Sequence, residues 1–228
     1  MYKEIINIHG NLYQLKRKFP EKAINLNKYE DSVTLLKQYY HCDTMFRAKG
    51  YLWLCNKIID IARPNFNPAR IGDEGVVGSI EKNIRESQVS WFDKPFKYLD
   101  IVHPVQKMIC DINYKFYGFD LWGHEAFQIT KYDEKYKGKY DPHIDGAYDD
   151  PSNKVVRKLS VSIQLTSPDY YEGGDFVFPD DKNSFDVENS KEQGTAIFFP
   201  SYLKHGIEPV TKGTRYSLVC WSNGPNFY

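Results

Sequence analysis

The sequence predicts an α+β protein whose core is a double-stranded β-helix, or jelly roll, buttressed by N-terminal helices. Three observations predict it. In the first half the stronger apolar segments repeat at helical spacing. After about residue 124 the texture changes to short β-branched and aromatic runs, separated by Gly, Pro, Asp and Asn clusters. The third is composition: 18 Tyr and 14 Phe in 228 residues suit a packed, β-rich chain more than a disordered one.

Residues 1–45 carry the weakest pattern. KRK at 16–18 reads as a solvated loop, and LLKQYYHCDTMF, around His41, reads as helix. YLWLCNKIIDIAR, from Tyr51, has the apolar density of a packed helix and stops at Pro64. LDIVHPVQKMICDINYKFYGF places Ile101, Val105, Met108, Ile109, Ile112 and Phe116 on one helical face, with His103 near its start as a capping or surface residue. EAFQITKY, RKLSVSIQLT, GGDFVFP, GTAIFFP and TRYSLVCW then supply at least five strands. Their short, irregular spacing favours an antiparallel double sheet over a parallel sheet with crossover helices. The expected organisation is an N-terminal extension over 1–45, of unknown role, and one domain over 46–228 that packs with it as a compact unit.

Composition excludes several classes. Thirty basic and 30 acidic residues balance, so no overall charge points to nucleic acid or an anionic membrane. The N-terminus lacks the apolar run of a signal peptide, and no stretch is long enough to span a bilayer. Cys42, Cys55, Cys110 and Cys220 are widely separated, which argues against a structural zinc site or a disulfide framework; reduced thiols in the cytoplasm are expected. His124-Glu125-Ala126-Phe127-Gln128 begins like a zinc-protease motif but ends in Gln, and phosphate-cradling and serine-hydrolase signatures are missing.

What remains is KYDPHIDG, with His143-x-Asp145. By itself the pair means little, because 6 His and 30 acidic residues give roughly 0.8 such pairs by chance. His41-x-Asp43 is a rival, set aside because residues two apart on a helix diverge. On an extended segment they point to one side, so His143 and Asp145 can reach one ion. A third ligand would complete two His and a carboxylate, the set suited to non-haem Fe(II). Among His41, His103, His124 and His205, position favours His205: Arg215 stands ten residues on and Ser217 two beyond, on one face of a strand, able to hold a carboxylate. In RKLSVSIQLT, Leu159, Val161, Ile163 and Leu165 alternate with Ser160, Ser162 and Gln164. The polar face is either solvated or the lining of a barrel that receives an organic acid.

The order H-x-D, downstream His, then Arg resembles the Fe(II)/2-oxoglutarate dioxygenases, in particular their prolyl 4-hydroxylase-like branch. FQITKY, YDPHIDGAY, RKLSVSIQL, YEGGDFVF, FFPSYLKHGIEPVTKGTRYSLVCW and GPNF are similar to the catalytic half of the PKHD-type hydroxylases. YLWLCNKIIDIA and the R-x-S of Arg85 to Ser87, before Trp91, are similar to that family's helical N-terminal part. The likeness covers roughly residues 46–225. It implies His143, Asp145 and His205 as Fe(II) ligands, and Arg215 as partner of the distal carboxylate of 2-oxoglutarate. Tyr132 is implied as a further cosubstrate contact; strand facing adds Ser217 and Gln164. Arg157 falls where related enzymes often meet substrate, or is a surface cation; Trp221, a candidate substrate contact, falls where the family often has an aromatic near the metal, or is a core residue. The reaction implied consumes O2 and 2-oxoglutarate, releases succinate and CO2, and hydroxylates a C–H bond, with ascorbate as a candidate reductant. A retained Asp145 favours hydroxylation over halogenation. A peptidyl proline is the implied substrate, with small molecules as the alternative. The loop TKYDEKYKGKYDP either closes over a substrate or is a solvated charged loop. The rival readings are a non-catalytic metal-binding jelly roll and a mononuclear zinc hydrolase.

Overall fold

Apolar spacing sets the two α-helices among the described residues. Helix α1 (Leu52–Ala62) buries Leu54, Cys55, Ile58, Ile59 and Ala62, one stripe of a 3.6-residue repeat. It gives way to a 3-10 turn, Arg63–Asn65, at Pro64, which has no N–H to continue the ladder. Helix α2 (Leu99–Ile112) buries Ile101, Val102, Val105, Met108, Ile109 and Ile112. The computed structural model describes residues 3–8, 11–16, 41–43, 52–71, 79–92, 95–146, 154–180 and 190–226.

The strands, in chain order, are β1 (Lys3–Ile8), β2 (Asn11–Lys16), β3 (His41–Asp43), β4 (Asn67–Pro68), β5 (Arg85–Glu86), β6 (Gln88–Phe92), β7 (Gly123–His124) and β8 (Phe127–Asp133). There follow β9 (Lys139–His143), β10 (Val155–Gln164), β11 (Tyr171–Gly173), β12 (Phe176–Val177), β13 (Ala196–Pro200), β14 (His205–Ile207) and β15 (Val210–Pro225). β1 and β2 pair with each other. The large sheet runs β3-β13-β10-β15-β8-β6-β4, with β7 and β11 also on β15, and the small sheet runs β12-β14-β9-β5. Every pairing is antiparallel.

Alternation along the strands builds three layers. Leu159, Val161 and Ile163 of β10, with Ala196 and Phe198 of β13, share a core with α1 and α2. Ile197 and Phe199 of β13 face the other way and join Tyr132, Phe176, Phe178, Ile207 and Val210 in a second core. Each fully buried aliphatic or aromatic side chain there contributes about 1.5–3 kcal/mol. The expected α+β double-sheet architecture is the one found, and each of the five expected strand segments contains a strand.

Four local readings need correction or refinement. HCD is strand, not helix: His41 to Asp43 pairs with Phe198 to Ala196 at the edge of the large sheet, so an available sheet edge outweighs local pattern. Residues of the expected extension thus belong to the main sheet. Phe116 is 44% exposed rather than on the buried face, because a π-helical turn, Asn113–Tyr117, follows α2 and rotates it away. Arg85 to Trp91 lies on strands β5 and β6 rather than in a helical part. Finally, Ser160, Ser162 and Gln164 are buried, so the polar face of β10 is not solvated.

Candidate active site

Strand pairing brings the candidate ligands together. His143 ends β9 and His205 begins β14, opposite each other in the antiparallel register. Asp145 follows two residues later, where its N–H donates to the Ser201 carbonyl at 2.9 Å. Its Oδ1 lies 3.6 Å from His143 Nε2 and its Oδ2 3.5 Å from His205 Nε2. Among the described residues these three form the one group of His, Cys, Asp or Glu able to hold an ion, with donor atoms within 4.8 Å of one another.

Both rings are fixed from behind. His143 Nδ1 meets the Asp141 carbonyl and His205 Nδ1 the Leu203 carbonyl, each at 2.9 Å. A carbonyl only accepts, so Nδ1 carries the proton and each Nε2 offers its lone pair to the centre. Tyr140 stacks on His143 at 3.5 Å between centroids, and Phe176 lies nearly parallel to His205 at 5.5 Å. Burial drives the His205 imidazole down to about 4, against the pull of Asp145, so it is neutral at physiological pH. Burial works to raise the Asp145 carboxyl, but His205, His143 and the Ser160 hydroxyl outweigh it and hold it well below the usual carboxylate range. Ser160 Oγ donates to Asp145 Oδ2 at 2.7 Å, and Ser201 Oγ lies 2.8 Å from Ser160 Oγ. Two imidazoles and one carboxylate are the donor set an Fe(II) ion fits.

The cluster opens into a cavity of about 470 Å³, whose lining includes Thr130, Tyr132, Ser162, Ser217, Val219 and Trp221. Arg215, opposite Tyr132 across β8 and β15, is 2% exposed and is not part of that lining. Its guanidinium sits 5.5 Å from the Tyr132 ring and donates to the Tyr171 hydroxyl. Its Nη1 is buried without a hydrogen-bond partner. Gly174 makes this room: at φ +62°, a Cβ there would stand 3.0 Å from Arg215 Cδ. Gln164 does not line the cavity; its Nε2 bonds the Thr166 carbonyl and Tyr171 hydroxyl, and its Oε1 is unpartnered. A buried guanidinium with a free N–H is what an organic carboxylate would satisfy.

On the opposite wall Arg157 makes a fork with both Glu125 oxygens at 2.6 Å and donates to the Asp145 carbonyl at 3.1 Å. Its guanidinium lies 4.1 Å from the centre of the Trp221 ring, and Trp91 is 6.2 Å from Trp221. Arg157 is therefore a wall residue rather than a surface cation. Of the other histidines, His103 is exposed and His124 bonds Ser222; the His41 side chain lies outside the described residues. The TKYDEKYKGKYDP segment crosses from β8 to β9, in the other sheet, through a 3-10 turn, Glu134–Tyr136, and carries ion pairs of Lys131 with Asp133 and Lys139 with Asp141.

Sequence reasoning missed Glu125, Ser160 as a support for Asp145, and Arg85. The signal for Ser160 was present in the polar face of β10. Glu125 was visible only as part of a failed zinc motif. Arg85 had no signal that placed it at a cavity.

Comparison with known proteins agrees with this geometry. The model of the 2OG-Fe(II) oxygenase superfamily matches residues 127–223. A PKHD-type hydroxylase of Aliarcobacter butzleri is 35% identical over 98 residues, 41% of this chain and 42% of that protein. One from Delftia acidovorans is 36% identical over 90 residues, 38% of each chain. The matched region thus spans about two fifths of these relatives. Among solved structures, a Pseudomonas putida prolyl-4-hydroxylase superposes with a TM-score of 0.60 at 21% identity, covering 86% of this chain and 97% of that one. A Trichoplax adhaerens prolyl hydroxylase, in complex with a hypoxia inducible factor peptide fragment, gives 0.61 at 14% identity, covering 83% and 86%. These likenesses show a shared fold. Residues 127–223, the stretch that matches the 2OG-Fe(II) oxygenase superfamily, hold the three clustered donors and Arg215.

Proposed function

We propose that the protein is an Fe(II)- and 2-oxoglutarate-dependent hydroxylase acting on a prolyl residue of a peptide or protein. The observation that carries this reading is the His143, Asp145 and His205 cluster, with both imidazoles locked through Nδ1 and the carboxylate held ionised. Fe(II) held by these three, together with O2 and 2-oxoglutarate, supplies the oxidising chemistry: the keto acid goes to succinate and CO2, and one oxygen atom enters a C–H bond.

The chain's own residues bind, orient and shield. Arg215 receives the distal carboxylate of 2-oxoglutarate, using the Nη1 that now has no partner. Tyr132 and Ser217 flank it from β8 and β15. Trp221, Trp91 and Tyr140 give the cavity aromatic walls that exclude water from the reacting carbon. Arg157, braced by Glu125, fixes Trp221 and the Asp145 backbone on the substrate side. Prolyl hydroxylases among the structural relatives support the substrate class. The free thiols of Cys55, Cys110 and Cys220 support a reducing, cytoplasmic setting, and no helix among the described residues is long and apolar enough to cross a membrane. Ascorbate is the reductant to supply in assays.

The test is an anaerobic titration of metal-free protein with Fe(II) and then 2-oxoglutarate, followed by the visible metal-to-ligand charge-transfer band. A saturable band, absent in Asp145→Ala, is expected. Metal uptake without a band would point instead to a zinc hydrolase or a structural ion.

A further inference from the structure

We propose that the cleft beyond the metal cluster holds a subsite for an acidic side chain, so that the substrate is an acidic peptide. This rests on the hydroxylase reading and specifies the substrate of that same site. A second chamber of about 530 Å³ adjoins the first and shares Arg70, Arg85, Trp91 and Gln128 with it. Each chamber alone is of the size that takes a small organic ligand. Cosubstrate and one residue of a substrate fill the first; the second accommodates chain that continues past the reacting residue. Asn65 and Asn67 line it with amide groups, which pair readily with peptide backbone.

Charge names the chemistry. The lining of the two chambers contains three arginines, Arg70, Arg85 and Arg157, and one acid, Asp145. Arg157 is matched by Glu125, and Asp145 serves the metal. Arg85 is different. It is 9% exposed, its Nε donates to Ser87 Oγ at 2.9 Å, and its guanidinium covers the Tyr140 ring at 4.5 Å. Among the described residues no carboxylate lies within ion-pair distance of it, and its two terminal nitrogens make no hydrogen bond. A buried cation without a counter-ion is costly, and an open guanidinium fork matches a carboxylate with two hydrogen bonds. Arg70, on the same shared wall, adds a second positive charge. A polyanion such as a nucleic acid fits less well, because the chain has a formal net charge of zero and no broad basic field to attract one.

The experiment is calorimetry on protein loaded anaerobically with Fe(II) and 2-oxoglutarate. The probes are a blocked peptide with a central proline flanked by aspartates, and its counterpart flanked by asparagines. The acidic peptide is expected to bind about tenfold or more tightly than the neutral one. In Arg85→Gln the preference should shrink to within about twofold, with 2-oxoglutarate affinity retained. Arg70→Gln, at an exposed position, should reduce the preference without risk to folding. Equal affinities, binding of neither peptide, or a preference that survives both substitutions overturns the subsite. So does a loss of 2-oxoglutarate binding in Arg85→Gln, which would make Arg85 the cosubstrate's partner. If the wild type takes up no 2-oxoglutarate, the hydroxylase reading itself falls and the subsite with it. The blank titration shows which of the two has failed.

Discussion

Ser160→Ala tests how the carboxylate ligand is aimed. The substitution removes one hydroxyl from a fully buried position and leaves the β10 backbone untouched. Two effects oppose. Without its donor at 2.7 Å, the Asp145 carboxylate becomes a stronger base and attracts a cation more. Without that bond it is also free to turn. Turning should win, because Oδ1 faces His143 at 3.6 Å while Oδ2 faces His205 at 3.5 Å, so rotation spoils both approaches at once. Losing a partner of a metal-binding carboxylate costs about 10- to 100-fold in affinity, or about 1.4–2.7 kcal/mol. The assay is competition for Fe(II), or for Co(II) as a spectroscopic substitute, against a chelator of known affinity. Ser201→Ala should show a smaller loss, since Ser201 reaches the carboxylate only through Ser160. Affinity within about twofold of wild type in Ser160→Ala would refute the idea that this hydroxyl sets the carboxylate's angle.

Other outcomes follow from the same geometry. His143→Ala and Asp145→Ala should abolish metal binding while His41→Ala retains it; equilibrium dialysis decides, and metal retention in His143→Ala would sink the ligand assignment. Arg215→Ala should weaken 2-oxoglutarate by about 1.5–3 kcal/mol, roughly 10- to 150-fold, with metal affinity unchanged; an unaltered cosubstrate titration would mean the arginine serves another group. Metal-free protein should lose stability in acid. His205 has its ordinary value of 6.5 when unfolded and about 4 when folded, so between those pH values the unfolded chain binds the extra proton. The stabilisation is complete above pH 6.5 and declines towards pH 4, by about 3 kcal/mol at most. Melting curves from pH 7 to 4 should therefore fall more steeply for wild type than for His205→Gln, and parallel curves would contradict it.

Much of the site was legible because its information is local. Asp145 lies just past the end of β9, two residues after His143, and Arg215 and Ser217 share a strand face, so short spacing pointed to each pair before any tertiary knowledge. Ser160 was half legible: its polarity stood out on β10, but its partner came from another element. The reason for setting His41 aside fails, since His41 to Asp43 is also a strand. The antiparallel pairing of β9 with β14 is what brings His143 to His205. Arg85 and Glu125 were opaque for the same physical cause. Each matters through a neighbour distant in sequence, Tyr140 for one and Arg157 for the other. Phe116 was misplaced by one π turn, which no count of apolar residues reveals.

Strand β15 carries Arg215 near one end and Trp221 near the other, with Ser217 and Val219 facing the cavity between them. Six residues of extended chain make a rod of about 20 Å. Leu218 and Cys220, pointing the opposite way, are anchored in the helix-side core, so the rod can neither slide nor roll. One consequence is evolutionary. Insertion or loss of a single residue between Arg215 and Trp221 would throw one end of the site to the wrong side of the sheet. A change of two would restore facing but alter the span by about 7 Å. The reach between cosubstrate and substrate is therefore a measured length that descendants of this chain inherit intact, and new substrates must be accommodated at the short strands and loops around its rim.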